Sequence, residues 1–317
     1  MKKIFVIGAT GQIGSELVPE LRNKYGNDNV IISIHRKEPE GELANGPMEK
    51  MDVTDKERLE EIVKSHGIDT IFHMSSILSA TGEQNPQLAY KVNMGGLYNV
   101  LEVSREQGIE KLIYPSSIAA FGPDTPKVNT PNETILRPTT MYGVTKVAGE
   151  LLGNYYFQKY GLDVRGLRYP GIISYKTLPG GGTTDYAVAI YYEALKNKHY
   201  KCFVRENTAL PMMYMPDAVK AIINLAEADK AQLKHHADFN VGAMSFTAGE
   251  QAESIKKIIP DFSIEYEPDF RQEIADSWPQ SLNDNAAREE WGWKPEYDLD
   301  AMTKDMLEKL REKLGVN

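Results

Sequence analysis

An apolar run, Ile4-Phe5-Val6-Ile7, stops at Gly8. Gly11 and Gly14 follow, and then a helical pattern begins at Leu17, Val18 and Leu21. No other stretch narrows the fold so far, because it reads as strand, tight turn and helix in immediate succession. Residues without a Cβ let a backbone approach a ligand closely. A helix N-terminus adds unpaired N–H groups and the positive end of its dipole. The spacing G-x-x-G-x-x-G is a variant of the dinucleotide-binding fingerprint. An ordinary glycine turn looks the same locally, so the remainder of the chain must separate the two.

Strand and helix signals alternate through the first half. Strands are expected at Ile4–Ile7, Val30–Ile34, Thr70–Met74, Lys111–Tyr114 and Val164–Leu167, each a short apolar run. Helices are expected at Gln12–Tyr25, Lys56–Ser65, Gln87–Gln107 and Thr140–Tyr160. This alternation predicts an α/β fold, a doubly wound parallel sheet with helices on both faces. Past residue 170 the regularity fades. Pro179-Gly180-Gly181-Gly182-Thr183-Thr184 reads as a flexible loop before a helix near Asp185–Leu195. Asp217 is expected to cap a helix to Ala228, Thr247 and Glu250 to form a capping box, and Leu299–Leu314 to be the last helix. The division is thus 1–170 as a dinucleotide-binding domain and 171–317 as mainly a smaller α/β substrate lobe, packed on the first and not independent.

Net charge is −9, which argues against nucleic acid as a partner. The single cysteine, Cys202, rules out an internal disulfide and fits a reducing compartment. The apolar run behind Lys2-Lys3 is too short for a signal peptide, and no stretch approaches the roughly 20 apolar residues of a membrane span. A cytoplasmic protein is expected. The six histidines show no metal-ligand spacing. His235 and His236 read as surface residues and Cys202 as a buried small one, so no metal is expected.

In dinucleotide sites an acid about twenty positions beyond the glycines binds the adenosine ribose. Here that place holds Ile34, followed by His35, Arg36 and Lys37. The basic residues suit a 2′-phosphate or are a solvated loop. Asp52 is placed to accept from the adenine amino group or to cap the helix from Lys56.

Tyr142 and Lys146 stand four apart on one helical face. The ammonium is expected to favour the phenolate, so that Tyr142 takes a proton from an alcohol while hydride leaves. Tyr155/Lys159 and Tyr192/Lys196 share the spacing, but lie inside helical stretches, whereas Tyr142 opens a helix after a loop containing Pro138. Tyr114-Pro115-Ser116-Ser117 closes the fourth strand with hydroxyls, at the edge where such sheets bind ligands.

Taken together, Gly8-x-x-Gly11-x-x-Gly14, Ser117 and Tyr142-x-x-x-Lys146 resemble the extended, nucleotide-sugar-epimerase-like branch of the short-chain dehydrogenase/reductases, with a Rossmann-type sheet. Several stretches are similar to its short-chain L-threonine 3-dehydrogenases: Leu78-Ser79-Ala80-Thr81, Pro179 to Ala187, Met212-Met213-Tyr214-Met215, Asp269-Phe270-Arg271-Gln272 and Ala275-Asp276-Ser277-Trp278-Pro279. The resemblance implies NAD-dependent oxidation of the L-threonine C3 hydroxyl to 2-amino-3-oxobutanoate. Tyr142 would be the base, Lys146 would bind the nicotinamide ribose and depress the tyrosine pKa, and Ser117 would bind the reacting oxygen. It implies a cofactor site of Gly8, Gly11, Gln12, Ile13, Gly14, Ile34, His35, Arg36, Asp52, Val53, Met74, Tyr142, Lys146 and Tyr169. The implied substrate site is Ser79, Ser117, Tyr142, Gly182, Thr183, Thr184 and Trp278, with the glycine loop as a mobile closing element. The family normally carries an acid where Ile34 stands, so NADP remains an alternative to NAD. A homodimer through the two long helices is also implied. The rival is a nucleotide-sugar epimerase or dehydratase, whose diphosphate would need basic residues such as Arg168, Arg205 or Arg271.

Overall fold

The computed structural model describes residues 1–178 and 180–316. The first half contains β1 (Ile4–Ile7), α1 (Gly14–Tyr25), β2 (Val30–Ile34), β3 (Met48–Lys50), α2 (Lys56–His66), β4 (Thr70–His73), α3 (Ser79–Gln84), α4 (Pro86–Tyr90), α5 (Gly96–Gln107), β5 (Lys111–Ile113), β6 (Ser116–Ser117), α6 (Met141–Tyr160), β7 (Asp163–Arg165) and β8 (Leu167–Tyr169). The second adds β9 (Gly171–Ile173), α7 (Tyr186–Lys196), β10 (His199–Cys202), β11 (Ala209–Tyr214), α8 (Met215–Glu227), β12 (Phe239–Asn240), β13 (Met244–Thr247), α9 (Ala248–Lys256), β14 (Ser263–Tyr266), α10 (Arg271–Ser277), α11 (Asn285–Trp291) and α12 (Leu299–Leu314).

Six strands form the main sheet in the order β3-β2-β1-β4-β5-β7, every pair parallel. The order reverses beside β1, which is where doubly wound sheets open a ligand crevice. All four residues of β1 are buried, as a strand covered on both faces requires. β6, β8 and β12 continue the ladder past a break at Tyr114-Pro115 and Gly166. The expected strand at Val164–Leu167 is therefore two strands. A Cβ on Gly166 would lie 2.5 Å from the Tyr114 carbonyl oxygen, so only glycine passes there.

One apolar layer packs α1 and α8 on one face of the sheet, and another packs α2, α5 and α6 on the opposite face. A third core joins the lobes: Ile118, Phe121 and Tyr142 pack with Tyr186, Tyr214 and Trp278. α8 and β12, both beyond residue 170, complete the layers of the first lobe.

Several local expectations are corrected. The helix over Gln87–Gln107 is α4 and α5 joined by a wide π turn at Lys91–Gly95. Asp217 lies inside α8, not at its cap, and its carboxylate accepts from the Glu296 and Tyr297 N–H groups of a distant loop. The Thr247/Glu250 capping box is formed. Of the two histidines expected at the surface, His235 is half-buried and His236 is buried. His235 sits 2.6 Å from Glu290, and His236 is buried with its ring stacked on Phe157. Among the described residues no helix is long and apolar enough to cross a membrane, and no three His, Cys, Asp or Glu side chains are placed to hold a metal.

Candidate active site

The glycine turn is steric necessity. Gly8 has φ +83, and a Cβ there would lie 2.7 Å from the Ser75 nitrogen. A Cβ on Gly14 would lie 2.3 Å from the Gly8 carbonyl oxygen. β1, the turn and the β4 end are thus packed to backbone contact, and α1 begins with no side-chain cap. An uncapped helix N-terminus behind a close glycine turn fits a dinucleotide pyrophosphate. Gln12 donates to the Ile172 carbonyl at 3.4 Å, and Ser15 and Thr177 hydroxyls meet at 3.3 Å. These contacts join the turn to the second lobe.

At the adenosine end, Ser33 accepts from the Gly8 N–H at 3.1 Å. Ile34 is half-buried and His35, Arg36 and Lys37 are exposed. Asp52 does not cap α2; Asp55 does, accepting from the Arg58 N–H. Asp52 instead accepts from the Thr54 N–H and hydroxyl, which hold its carboxyl below the usual range, and its other oxygen is 3.4 Å from His35. The Val53 side chain is buried against Gly96, and its carbonyl accepts from Asn99. Met74 is half-buried at the end of β4.

Thr140 caps α6 by accepting from the Gly143 N–H at 3.1 Å. Gly143 lets the helix start within contact of the Ala119 carbonyl; a Cβ would be 2.2 Å from that oxygen. This approach brings Tyr142 beside Ser117, whose hydroxyl accepts from the Ala119 N–H at 3.2 Å. Lys146, one turn on, is buried and donates to the Pro115 carbonyl at 2.8 Å. Its Nζ lies 5.3 Å from the Tyr142 ring centre and 4.6 Å from that of Tyr114.

The electrostatics differ from expectation. Burial pushes the Tyr142 phenol up to about 12, and the neighbouring Ser117 hydroxyl opposes it. Burial likewise pushes the Lys146 ammonium down to about 7, with Glu150 opposing. The ammonium is not among the groups that oppose the phenol's shift, and its Nζ is engaged by the Pro115 carbonyl. Beneath them Glu150 accepts from Ser116 and, bidentately, from Arg168 at 2.8 and 2.9 Å.

On the substrate side, the Ser79 and Thr183 hydroxyls meet at 3.0 Å, and Ser79 Oγ also accepts from the Thr183 N–H. Thr184 packs against Gly171, where a Cβ would lie 2.9 Å from its methyl. The glycine loop is anchored at Gly181 and Gly182. The Asp185 carboxylate accepts from the Gly181 and Gly182 N–H groups at 2.8 and 2.9 Å, and the Thr81 N–H donates to the Gly181 carbonyl. Pro179 lies outside the described residues. Trp278 is buried in the core that contains Tyr142. The Tyr169 hydroxyl donates to the Ala218 carbonyl at 2.5 Å inside the α8 layer.

Three residues escaped the sequence reading. Asn93, in the π turn, accepts from the Ile77 N–H at 2.8 Å and donates to the Ile77 carbonyl and the Thr145 hydroxyl. It thereby ties the loop after β4 to α6. Asp185 anchors the glycine loop, and a carboxylate just after three glycines was its only signal. His73 is buried with neither ring nitrogen partnered, stacks on Tyr114, and has its pKa pushed down to about 3 by burial.

Fold and site together define a dinucleotide-binding oxidoreductase scaffold of the extended short-chain dehydrogenase/reductase class. Residues 4–242 match the NAD dependent epimerase/dehydratase family, and the chain belongs to it. An uncharacterized epimerase/dehydratase of Staphylococcus saprophyticus is 53% identical over 315 residues, covering 99% of this chain and 98% of that protein. The solved L-threonine dehydrogenase of Clostridium difficile is 57% identical with TM-score 0.96, covering 100% of this chain and 99% of the other. The holo form of the GalE-like L-threonine dehydrogenase of Cupriavidus necator is 48% identical with TM-score 0.94, covering 97% and 99%.

Proposed function

We propose that this protein oxidises the C3 hydroxyl of L-threonine with NAD, giving 2-amino-3-oxobutanoate, NADH and a proton. The observation that carries the reading is the placing of Tyr142 and Lys146 on the first turns of α6 beside Ser117, with α3, whose Ser79 meets Thr183, packed on the same helix, at the edge of a sheet whose glycine turn fits a dinucleotide. The likeness to solved L-threonine dehydrogenases supports it. Tyr142 takes the C3 hydroxyl proton and Ser117 hydrogen-bonds the same oxygen. Lys146 holds the nicotinamide ribose, and Ser79, Gly182, Thr183 and Thr184 hold the ammonium and carboxylate ends of the amino acid. Trp278 closes the apolar side, where excluded water strengthens each polar contact. Gly8, Gly11, Gln12, Ile13 and Gly14 hold the pyrophosphate; the bound dinucleotide supplies the hydride acceptor.

The three arginines that a nucleotide-sugar diphosphate would need are paired with acids, and one of them is fully buried. Arg168 is buried on Glu150, Arg205 pairs with Asp276 at 2.6 Å, and Arg271 pairs with Asp269 at 2.6 Å. The experiment is NADH appearance with L-threonine set against conversion of UDP-sugars. Turnover of a UDP-sugar without threonine oxidation would overturn the proposal. The reading includes a cytoplasmic protein that pairs with a second copy of itself. In support, Tyr90, Tyr98, Val144, Leu151, Tyr155 and Tyr160 are exposed on α4, α5 and α6.

A further inference from the structure

Lys146 is a buried ammonium with little to offset its loss of water. Its Nζ donates to the Pro115 carbonyl at 2.8 Å, and it takes part in no ion pair among the described residues. Glu150, one turn on along α6, is the carboxylate that acts on it. Both Glu150 oxygens are already held, one by Ser116 and the Arg168 Nε, the other by the same guanidinium. What faces the ammonium besides is aromatic. Nζ lies 4.6 Å from the centre of the Tyr114 ring and 5.3 Å from that of Tyr142. A ring face carries partial negative charge, and its attraction for a cation is strongest where the cation has lost its water.

The surroundings of Tyr114 serve its ring and not its hydroxyl. Its N–H donates to the Arg165 carbonyl at 2.8 Å, which fixes the residue at the end of β5. His73, at the end of β4, stacks on the ring with centres 5.8 Å apart and planes 22° from parallel. Burial keeps that imidazole uncharged at neutral pH, so it sets no second positive charge beside Lys146. Gly149, three residues beyond Lys146, admits the ring to α6: a Cβ there would lie 2.5 Å from the ring Cε1. The Tyr114 hydroxyl is buried and finds no hydrogen-bond partner among the described residues. An unpaired buried hydroxyl costs stability, so it does not account for the residue; the ring does.

We propose that Tyr114 is a positioning residue for the reaction: its ring face, stacked on His73 and admitted by Gly149, seats the Lys146 ammonium beside Tyr142. The seat uses no N–H group of the ammonium, so those not engaged by Pro115 stay free for a dinucleotide ribose. The inference rests on the role given to Lys146 in the function proposed above, and Tyr114 acts only through that lysine.

Steady-state kinetics with L-threonine, and urea unfolding of Tyr114→Phe and Tyr114→Leu, each alone and combined with Lys146→Met, test it. Tyr114→Phe keeps the ring face and is expected to keep wild-type kcat, with an unfolding midpoint no lower than that of the wild type. Tyr114→Leu stays apolar but removes the face. It is expected to lower kcat by about tenfold with KM for L-threonine unchanged. In unfolding, Tyr114→Leu is expected to cost more with Lys146 in place than with methionine there, because only then does a cation lose its ring. Gly149→Ala pushes the unaltered ring off α6 and is expected to lower kcat in the same way. Equal unfolding costs in the two backgrounds, a Tyr114→Phe as impaired as Tyr114→Leu, or wild-type kcat in Tyr114→Leu or Gly149→Ala overturns the proposal. A wild type that does not oxidise threonine, with the unfolding difference present, would keep the seat and strike only the function proposed above.

Discussion

At the scale of single residues, the proposed chemistry turns on the Tyr142 phenol, whose pKa burial pushes up. Tyr142→Phe removes one oxygen and leaves the packing of the α6 start in place. It is expected to lower kcat for L-threonine by about 10²–10⁴ with an unchanged Tm, since that is the range for a lost general base. Normal turnover in the variant would remove Tyr142 from the mechanism. The pH dependence follows from the direction of the shift. A base whose pKa is pushed up to about 12 is mostly protonated at neutrality, so its competent fraction grows as pH rises. kcat/KM is therefore expected to climb by about tenfold per pH unit above neutrality while proton removal limits the rate. A profile flat from neutral to alkaline pH would show that another group sets the limb. Tyr142, Lys146 and Ser117 were legible because their spacing and place near strand and helix ends are written locally. The sign of the tyrosine shift was not, since Tyr142 is buried in a core with Ile118, Phe121 and Trp278 that only the fold assembles.

At the scale of elements, α6 carries both the reacting groups and their support. Glu150, one turn beyond Lys146, is buried and neutralises the equally buried Arg168 of β8. Glu150→Ala leaves that guanidinium unpaired and is expected to lower unfolding free energy by about 3–5 kcal/mol in urea titrations. A loss of only a few tenths would mean that water or another acid takes over. The glycine loop makes a different prediction. Asp185→Ala releases the Gly181 and Gly182 N–H groups, so KM for L-threonine is expected to rise several-fold, about what one or two hydrogen bonds supply, while dinucleotide affinity stays the same. An equal loss of dinucleotide affinity would place the loop's role elsewhere. The periodic helices and the apolar strands were readable from pattern alone. β3 was not, because Met48 and Lys50 are exposed on an edge strand and show no apolar run. The pinning of the loop was also hidden, because a glycine run reads as freedom until its anchor is known.

At the scale of the whole molecule, the two long helices leave a face of tyrosines and aliphatic residues in water. Leu151 is 64% and Tyr155 49% exposed on α6. Sedimentation of the wild type is expected to give a dimer, and the double substitution Leu151→Glu/Tyr155→Glu a monomer of unchanged helical content. A monomeric wild type would leave this face without its proposed partner.

Local spacing was enough to determine a glycine turn between a strand and a helix, the alternation that yields a doubly wound sheet, and a serine, tyrosine and lysine in positions to meet. Each is a short-range pattern with one sterically sensible outcome. Tertiary structure alone decided which polar groups were already engaged. It turned the Tyr169 hydroxyl to Ala218, placed Arg168 on Glu150, sent Asp217 to a loop across the lobe and stitched the glycine turn to residues 172–177. Hydrogen-bond partners far apart in sequence are chosen by how the layers pack, and burial then sets the charge each group can bear.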